Sequence, residues 1–463
     1  MDSNDGDEIP STTTHETTDR LIGDELYKLS LVEREKVYED IHGVSRPIGE
    51  TPELVQNSLK EMQQEMDRLK EKDAYDLARN LSEEYVSDKD FRIKFLRAES
   101  FDAKKAAERF ANYFQSKLMA FGKEKLVHQV TADDLTEEDL EILTRGTHQM
   151  LPSRDSQGRP VFVSLPSHFV TSENTERKGI FKHKLRAFWY LFSTLSDDEE
   201  TQKKGYVHIF YTIDADEHSD LTRRKLVVSA AKLIHCLPIR LACFHYCHNC
   251  NDPSKLVDFI PLIATSSKPE YQVRIRLHEG THTGCQYKLM SFGIPMNVFP
   301  VSLTGKLKTA SHLKWIERRK QKELYMKQHS LPIGAVDIPS RNDVILGRGR
   351  PFNIHPGNRL LHEIVESHFE EYDSAERNEK TRLAKSIVAT INRDSGRFLK
   401  QHEESGMWVE VSETEARQKV NHSFRRKREF DLKAQATKGD NRDGQSNAEG
   451  GGKRMKTHAF FDL

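Results

Sequence analysis

The chain opens polar and then settles into a helical hydrophobic period. Residues 1–20 are largely Asp, Ser, Thr and Asn with almost no apolar side chains. Such a stretch buries too little surface to fold and reads as a disordered acidic tail. Leu29-Ser30-Leu31 leads into VEREKVYEDI, a short helix ending near His42-Gly43. Leu59, Met62, Met66 and Leu69 recur at spacings of three and four, continued by Leu77, Ala78 and Leu81. That spacing predicts one apolar helical stripe packed on a neighbour. Phe91, Phe95 and Leu96 begin another helical segment. Asp102 can cap a helix that places Ala106, Phe110, Tyr113, Phe114 and Leu118 on one face. Residues 22–145 therefore read as a helical lobe.

After Pro152 the pattern changes. Arg154 to Gly158 reads as a turn and Arg159 to Leu165 as a strand. Residues 180–195 read as a helix burying Leu185, Phe188, Trp189 and Phe192. Tyr206 to Ile213 is a strand apolar on both faces and followed by Asp214; residues 221–235 form a helix; Leu241 to Tyr246 is a third strand. Leu256 to Ile263 is a short amphipathic helix and Val273 to Leu277 a fourth strand. Strands alternating with helices predict an α/β layer with a largely parallel sheet over residues 146–310.

A basic helix over 312–328 is followed by Pro332, Gly334 and Pro339, which mark a linker; together they fill 311–339. A small α+β domain is expected over 340–430. Leu360, Leu361, Ile364, Val365, His368 and Phe369 give one helical face, and Leu383, Ile387, Val388 and Ile391 a second. Arg397 to Lys400 and Met407 to Val411 read as a hairpin, and Ser412 with Glu415 as the capping box of a last helix. Residues 431–463, rich in Gly, Asn, Asp and Lys, read as a second disordered tail.

Composition narrows the functional classes. The 463 residues carry 71 Lys+Arg against 72 Asp+Glu, a net charge of −1, which excludes a globally basic nucleic-acid binder but not a local basic patch. Residues 1–50 alone hold 13 acidic and 5 basic side chains, as expected of a solvated segment. No apolar run reaches the roughly 18–20 residues of a membrane helix, and the first residues lack the basic and apolar regions of a signal peptide. A cytoplasmic protein is expected, peripheral on membranes when it meets them. Lys453-Arg454-Met455-Lys456 is too short to decide nuclear entry. Cys236, Cys243, Cys247 and Cys250 crowd together while Cys285 stands apart, an arrangement that suits reduced thiols better than a disulfide framework. Cys247 and Cys250 have CxxC spacing, but strand alternation puts Cys243, His245 and Cys247 on one face and His248 on the other. Buried thiols are expected there rather than a metal. The sequence holds no GxSxG, HExxH or P-loop lysine, so neither catalysis nor a cofactor is expected.

Several segments in order resemble the Sec14-like lipid-binding family, the CRAL-TRIO fold. They are Phe95-Leu96-Arg97-Ala98 with Phe101-Asp102-Ala103 and Ala106-Ala107, then Asp155 with Gly158-Arg159-Pro160-Val161, then Ile209 to Asp214. Asn251-Asp252-Pro253, Val273-Arg274-Ile275 and Gly293-Ile294 with Phe299-Pro300 and Gly305 follow. The resemblance covers roughly residues 90–306. Glu99 stands where the family commonly carries a basic residue, and Arg274 where phosphoinositide-binding members carry lysine. The resemblance implies a cavity holding a phospholipid, phosphatidylinositol among them, or another hydrophobic molecule. It also implies a mobile gate helix, here Leu256, Val257, Phe259, Ile260, Leu262 and Ile263, that opens at a membrane surface. Each acyl CH2 moved into such a cavity is worth about 0.8 kcal/mol. Arg274 and Arg276 are the candidates for a phosphorylated headgroup.

Asn342 to Gly349, His355-Pro356-Gly357-Asn358, and Arg397 to Lys400 with Trp408 resemble a domain of unknown function common in diatoms and related algae. Arg348, Arg350 and Arg359 gather at its glycine loop and first helix, and Arg425, Arg426, Lys427 and Arg428 lie in its last helix. Two helices, a hairpin and a third helix also suggest a winged arrangement, by analogy of fold alone. These cations are candidates for an anion or nucleic-acid contact, with a protein-interaction module and a phosphate or headgroup site as alternatives. The expected function is lipid binding or transfer by the α/β part with a regulatory C-terminal domain. The alternative is a nucleic-acid-associated regulator acting through that domain.

Overall fold

Short oxygen-bearing side chains start most of the N-terminal helices. The structure, a computed structural model, describes residues 14–165, 180–213, 228, 231–249, 269–330, 335–394 and 396–443. Two compact units divide the chain, Met1–Lys320 and Gln321–Leu463.

In the first unit α1 (Thr14–Lys28) and α2 (Leu31–His42) precede α3 (Pro52–Arg68) and α4 (Asp73–Leu81). Ser30 and Glu33 form a reciprocal capping box at α2, and Thr51 caps α3 just before Pro52. α2 ends at Gly43, whose φ of +68° is the left-handed conformation that glycine adopts without steric cost. α1 begins inside the stretch expected to be tail, because Ile22 and Leu26 reach the core. The stripe expected as one helix is two. Leu69 turns extended after α3, and Lys72 Nζ donates to the carbonyl of Met66 at 2.6 Å, closing the helix end. α5 (Glu83–Ser87), α6 (Lys89–Ala98), α7 (Ala103–Phe121) and α8 (Glu137–Thr144) complete this part. Asp102 caps α7 through Lys105 N at 3.0 Å. The side chains of Tyr75, Phe91, Phe95, Phe110, Tyr113 and Phe114 pack mostly edge to face.

The five-stranded sheet follows. β1 (His148–Met150) is antiparallel to β2 (Val161–Ser164). α9 (Ile180–Leu195) and α10 (Glu199–Lys204) lead to β3 (Tyr206–Tyr211). Next come β4 (Leu241–His248), α11 (Pro269–Gln272), β5 (Ile275–Glu279) and α12 (His282–Ser291). β2 to β5 are parallel neighbours in chain order, with β3 in the centre. Strand alternation sorts the side chains into two cores. Phe162, Tyr206, Phe244, Tyr246 and Ile275 join α9 and the helical part, while Val161, Val163, Val207, Ile209, Cys243 and Cys247 join α2 and α12. The protein is thus mixed α/β, with helices packed on both sheet faces.

α13 (Ala310–Met326) runs into the second unit. There β6 (Val344–Leu346), α14 (Arg350–Asn353), α15 (Pro356–Ser367), α16 (Phe369–Ser374), α17 (Arg377–Arg393), β7 (Phe398–Gln401), β8 (Trp408–Glu410) and α18 (Glu413–Asp443) follow in order. β7 pairs antiparallel with β8, as a hairpin requires, and parallel with β6. α18 continues past residue 430, into the stretch expected to be tail, with Lys427 and Asp431 pairing one turn apart at 3.0 Å. Val344, Leu361, Val365, Ala384, Ile387, Val388, Phe398, Val420 and Phe424 form its core.

Candidate functional site

The α9 face of the sheet is aromatic, with a polar row crossing it. Phe210 of central β3 stacks on Tyr246 of β4 at 5.6 Å and lies 6.2 Å from Phe244, ring centre to ring centre. Phe162 meets Phe192 of α9 at 4.4 Å. Phe210 is the one half-buried residue of an otherwise buried strand, and Leu277 on β5 is half-buried as well.

His148, Ser164 and His208 link β1, β2 and β3 across this face. Ser164 Oγ lies 3.0 Å from His148 Nδ1 and 2.9 Å from His208 Nε2. His208 is 3 % exposed, ringed by Phe162, Phe192 and Phe244, and its Nδ1 has no hydrogen-bond partner among the described residues. Burial pushes its imidazole down to about 3, so the ring is neutral and can offer one donor and one acceptor. Sequence reading missed this row. The signal was a histidine inside a run of otherwise apolar and aromatic residues.

The two arginines expected at a headgroup lie just before β5 and within it. Arg274 and Arg276 share a parity, and it is the α2 side of the sheet, opposite the aromatic face. Arg274 Nη2 donates to Asp40 Oδ2 at 2.7 Å, and Arg240 Nη1 reaches Asp40 Oδ1 at 2.6 Å. Burial alone would push the Asp40 carboxyl up, but the two guanidinium groups outweigh it and hold it below its ordinary value. Arg159 bonds Asp155 at 2.7 Å and donates to the carbonyls of Asp40 and Ile41, closing the end of α2. Arg276 donates to the carbonyls of Val273 and Ile275 and borders a groove with Leu26, Tyr27, Val37 and Tyr38. The gate-helix residues Leu256, Val257, Phe259, Ile260, Leu262 and Ile263 lie outside the described residues.

Cys236, Cys243, Cys247 and Cys285 are buried free thiols. His245 Nδ1 lies 2.8 Å from His278 Nε2, and Cys243 Sγ 3.4 Å from His245 Nε2. Burial holds both imidazoles down, that of His278 to about 4. Among the described residues no group of three or more His, Cys, Asp or Glu is arranged to hold a metal.

In the second unit the basic candidates separate. Arg348, Arg359 and Arg425 are exposed, while Arg350 begins α14. Arg426 Nη1 donates to Asn353 Oδ1 at 3.3 Å. Lys427 pairs with Glu366 and Asp431, and Arg428 with Asp373. The residues flanking this set have structural duties. Asp343, fully buried, accepts from Arg397 Nη2 at 2.9 Å and from the Ser340 amide at 2.7 Å. The Asn358 amide bridges the N–H and C=O of Ile345. Trp408 is buried against Phe352.

Residues 343–426 match the family model of DUF6824, a domain of unknown function. No curated protein matches the chain. Among the described residues no helix is long and apolar enough to cross a membrane.

Proposed function

We propose that the first unit holds a lipid or similar hydrophobic molecule on the aromatic face of its sheet and exchanges it at membrane surfaces, with no covalent step. One observation carries this reading. Phe210, on the central strand where a sheet is normally best covered, is only half-buried, beside Phe244, Tyr246 and half-buried Leu277. An apolar floor of this kind favours an apolar occupant, at roughly 25 cal/mol per Å² removed from water. The neutral His208–Ser164–His148 row beside it suits a hydroxyl, ester or carboxyl oxygen rather than a bare phosphate.

Two further features support the reading. Parallel strands in chain order are joined by right-handed crossovers, which fall on one face. α9 and Tyr271 already pack on the aromatic side, and Leu256 to Ile263 are the gate that the resemblance implies. The ordered motifs that resemble Sec14-like proteins point the same way. Arg274 and Arg276 take no part in it, since they face α2.

The test is uptake of pyrene-labelled phosphatidylcholine and phosphatidylinositol from vesicles by the full chain. The expected result is saturable, stoichiometric uptake, lost in Phe210→Asp and in Phe259→Asp with Ile260→Asp, while far-ultraviolet circular dichroism is unchanged. No uptake of either lipid by the unaltered chain overturns the reading.

A further inference from the structure

We propose that α12 and the adjoining hairpin of residues 301–307 form a docking surface for anionic membranes, through Lys288, Lys306 and Lys308 with Tyr287, Met290 and Leu303. The surface is separate from the aromatic floor, because α12 packs on the opposite face of the sheet. It recruits the chain to a membrane whatever the chain carries, and so goes beyond the lipid reading.

Two independent features coincide there. The first is charge. From Gly280 to Ile316 the sequence has four lysines, no arginine and no Asp or Glu. Lys288, Lys306 and Lys308 are exposed. Lys288 Nζ donates to the Glu279 carbonyl at 2.8 Å and Lys308 Nζ to that of Phe299 at 3.4 Å. Among the described residues none of the three ammonium groups is ion-paired with a carboxylate. Next to the hairpin, where Gln149 bonds the Lys308 carbonyl, the acid Glu141 is held by Arg145 at 2.5 Å. The second feature is apolar exposure. Among the described residues from His148 to Lys320, the exposed large apolar side chains are Tyr287, Met290, Leu303 and Leu313, all inside the acid-free run. Tyr287 is 64 %, Leu303 58 % and Met290 51 % exposed.

Local geometry joins the two features. Cys285 and Leu289 anchor α12 in the core. At 100° per residue Tyr287 falls on the side away from them, and Met290 on the flank that carries Gln286. Gln286 Nε2 donates to the carbonyls of Val301 and Ser302 at 3.2 and 3.4 Å, which seats the hairpin on that flank. Ser302 N bonds the Lys306 carbonyl at 2.9 Å and closes the hairpin, whose tip carries Leu303 and Lys306. Gly305 brings the tip against α12, since a Cβ there would lie 2.7 Å from His282 Nε2. Lys288 falls on the other flank of α12. Neither element carries an acid.

An anionic membrane suits this surface better than a nucleic acid or an acidic protein. A duplex would reward the lysines but leave Tyr287, Met290 and Leu303 against charged phosphates. A lipid interface rewards both. Apolar side chains enter the boundary between headgroups and acyl chains, and the tyrosine ring sits at that level with its hydroxyl in water. Lysine stems cover apolar surface while their ammonium groups meet anionic headgroups.

The experiment is co-sedimentation of the full chain with phosphatidylcholine vesicles, with and without about 30 % phosphatidylserine, at about 50 and about 200 mM salt. Binding should be about tenfold or more tighter to the anionic vesicles and should weaken at the higher salt. Lys306→Ala with Lys308→Ala should weaken it about 25-fold, each lysine being worth about fivefold. Tyr287→Ser with Leu303→Ser should weaken it about fivefold or more and leave the salt dependence in place. Lys60→Ala with Lys104→Ala removes the same charge from exposed positions of the helical part and should change binding less than about twofold. No vesicle binding, equal binding to both kinds of vesicle, equal losses in the surface and control pairs, or capture of a DNA duplex in place of vesicles each overturn the proposal. Charge-dependent vesicle binding without uptake of pyrene-labelled lipid supports the surface and overturns only the lipid reading. Matched thermal melts establish that the variants are folded.

Discussion

Arg274 and Asp40, far apart in the chain, are joined by a 2.7 Å ion pair that ties the start of β5 to α2. Arg240 completes the site from the start of β4 at 2.6 Å, and Arg159 closes the same helix end through backbone carbonyls. Two strands and one helix therefore converge on a single buried carboxylate.

Asp40→Asn should be strongly destabilising, because it leaves two guanidinium groups facing a neutral amide. Removing one partner of a buried pair costs about 3–5 kcal/mol. Urea unfolding should show a lower midpoint with an unchanged slope. Arg274→Ala should lower stability as well, yet leave lipid uptake per folded molecule unaltered. A selective loss of phosphoinositide uptake in Arg274→Ala would return this residue to the headgroup.

The buried imidazoles set an acid limit on the fold. His208 is held at about 3, and His245 also lies far below its ordinary value, both because burial disfavours the charged ring. In the unfolded chain such groups titrate near 6.5. Below pH 6.5 the unfolded state binds the additional protons, so the contribution is complete above that pH and is lost as pH falls. Each group accounts for about 1.4 kcal/mol per pH unit. Unfolding free energies at pH 7.5, 6 and 5 should fall steeply, and His208→Gln should make the profile shallower. A flat profile contradicts the neutral assignment.

Lys117 sets the alkaline side of the same profile. It is fully buried in α7, donates to the carbonyl of His128 and lies over Tyr85 and Tyr113. Burial pushes its ammonium down to about 7, against roughly 10.4 in an unfolded chain. Between those values the unfolded state holds the extra proton, so stability should rise with pH from 7 towards 10. Lys117→Met should abolish that rise in urea unfolding; persistence of the slope would assign it to another group.

In the second unit Gly357 is held by packing. A Cβ at this position would lie 2.1 Å from the carbonyl oxygen of Asp343. Gly357→Ala must therefore separate α15 from the start of β6. A cost of about 3 kcal/mol is expected, seen as an early unfolding transition of this unit in calorimetry. An unchanged transition would mean that the backbone here yields easily.

Much of this architecture is readable in the sequence where the signal is local. Phe188, Trp189 and Phe192 mark α9, and Ser412 with Glu415 marks the start of α18 through a reciprocal cap at 3.3 Å. β1, with three residues, is too short to show alternation. The parallel pairing of β6 with β7 spans four intervening helices and leaves no local trace. The shared face of Arg274 and Arg276 was legible from strand parity, but which face it is depends on where α2 packs.

The most direct measurement is native mass spectrometry of the purified full-length chain, with its bound molecules identified after denaturation. A stoichiometric lipid or other hydrophobic molecule, reduced in Phe210→Asp, is the result predicted by an aromatic floor beneath an exchangeable ligand. A chain that carries no hydrophobic molecule and acquires none from mixed phospholipid vesicles contradicts it.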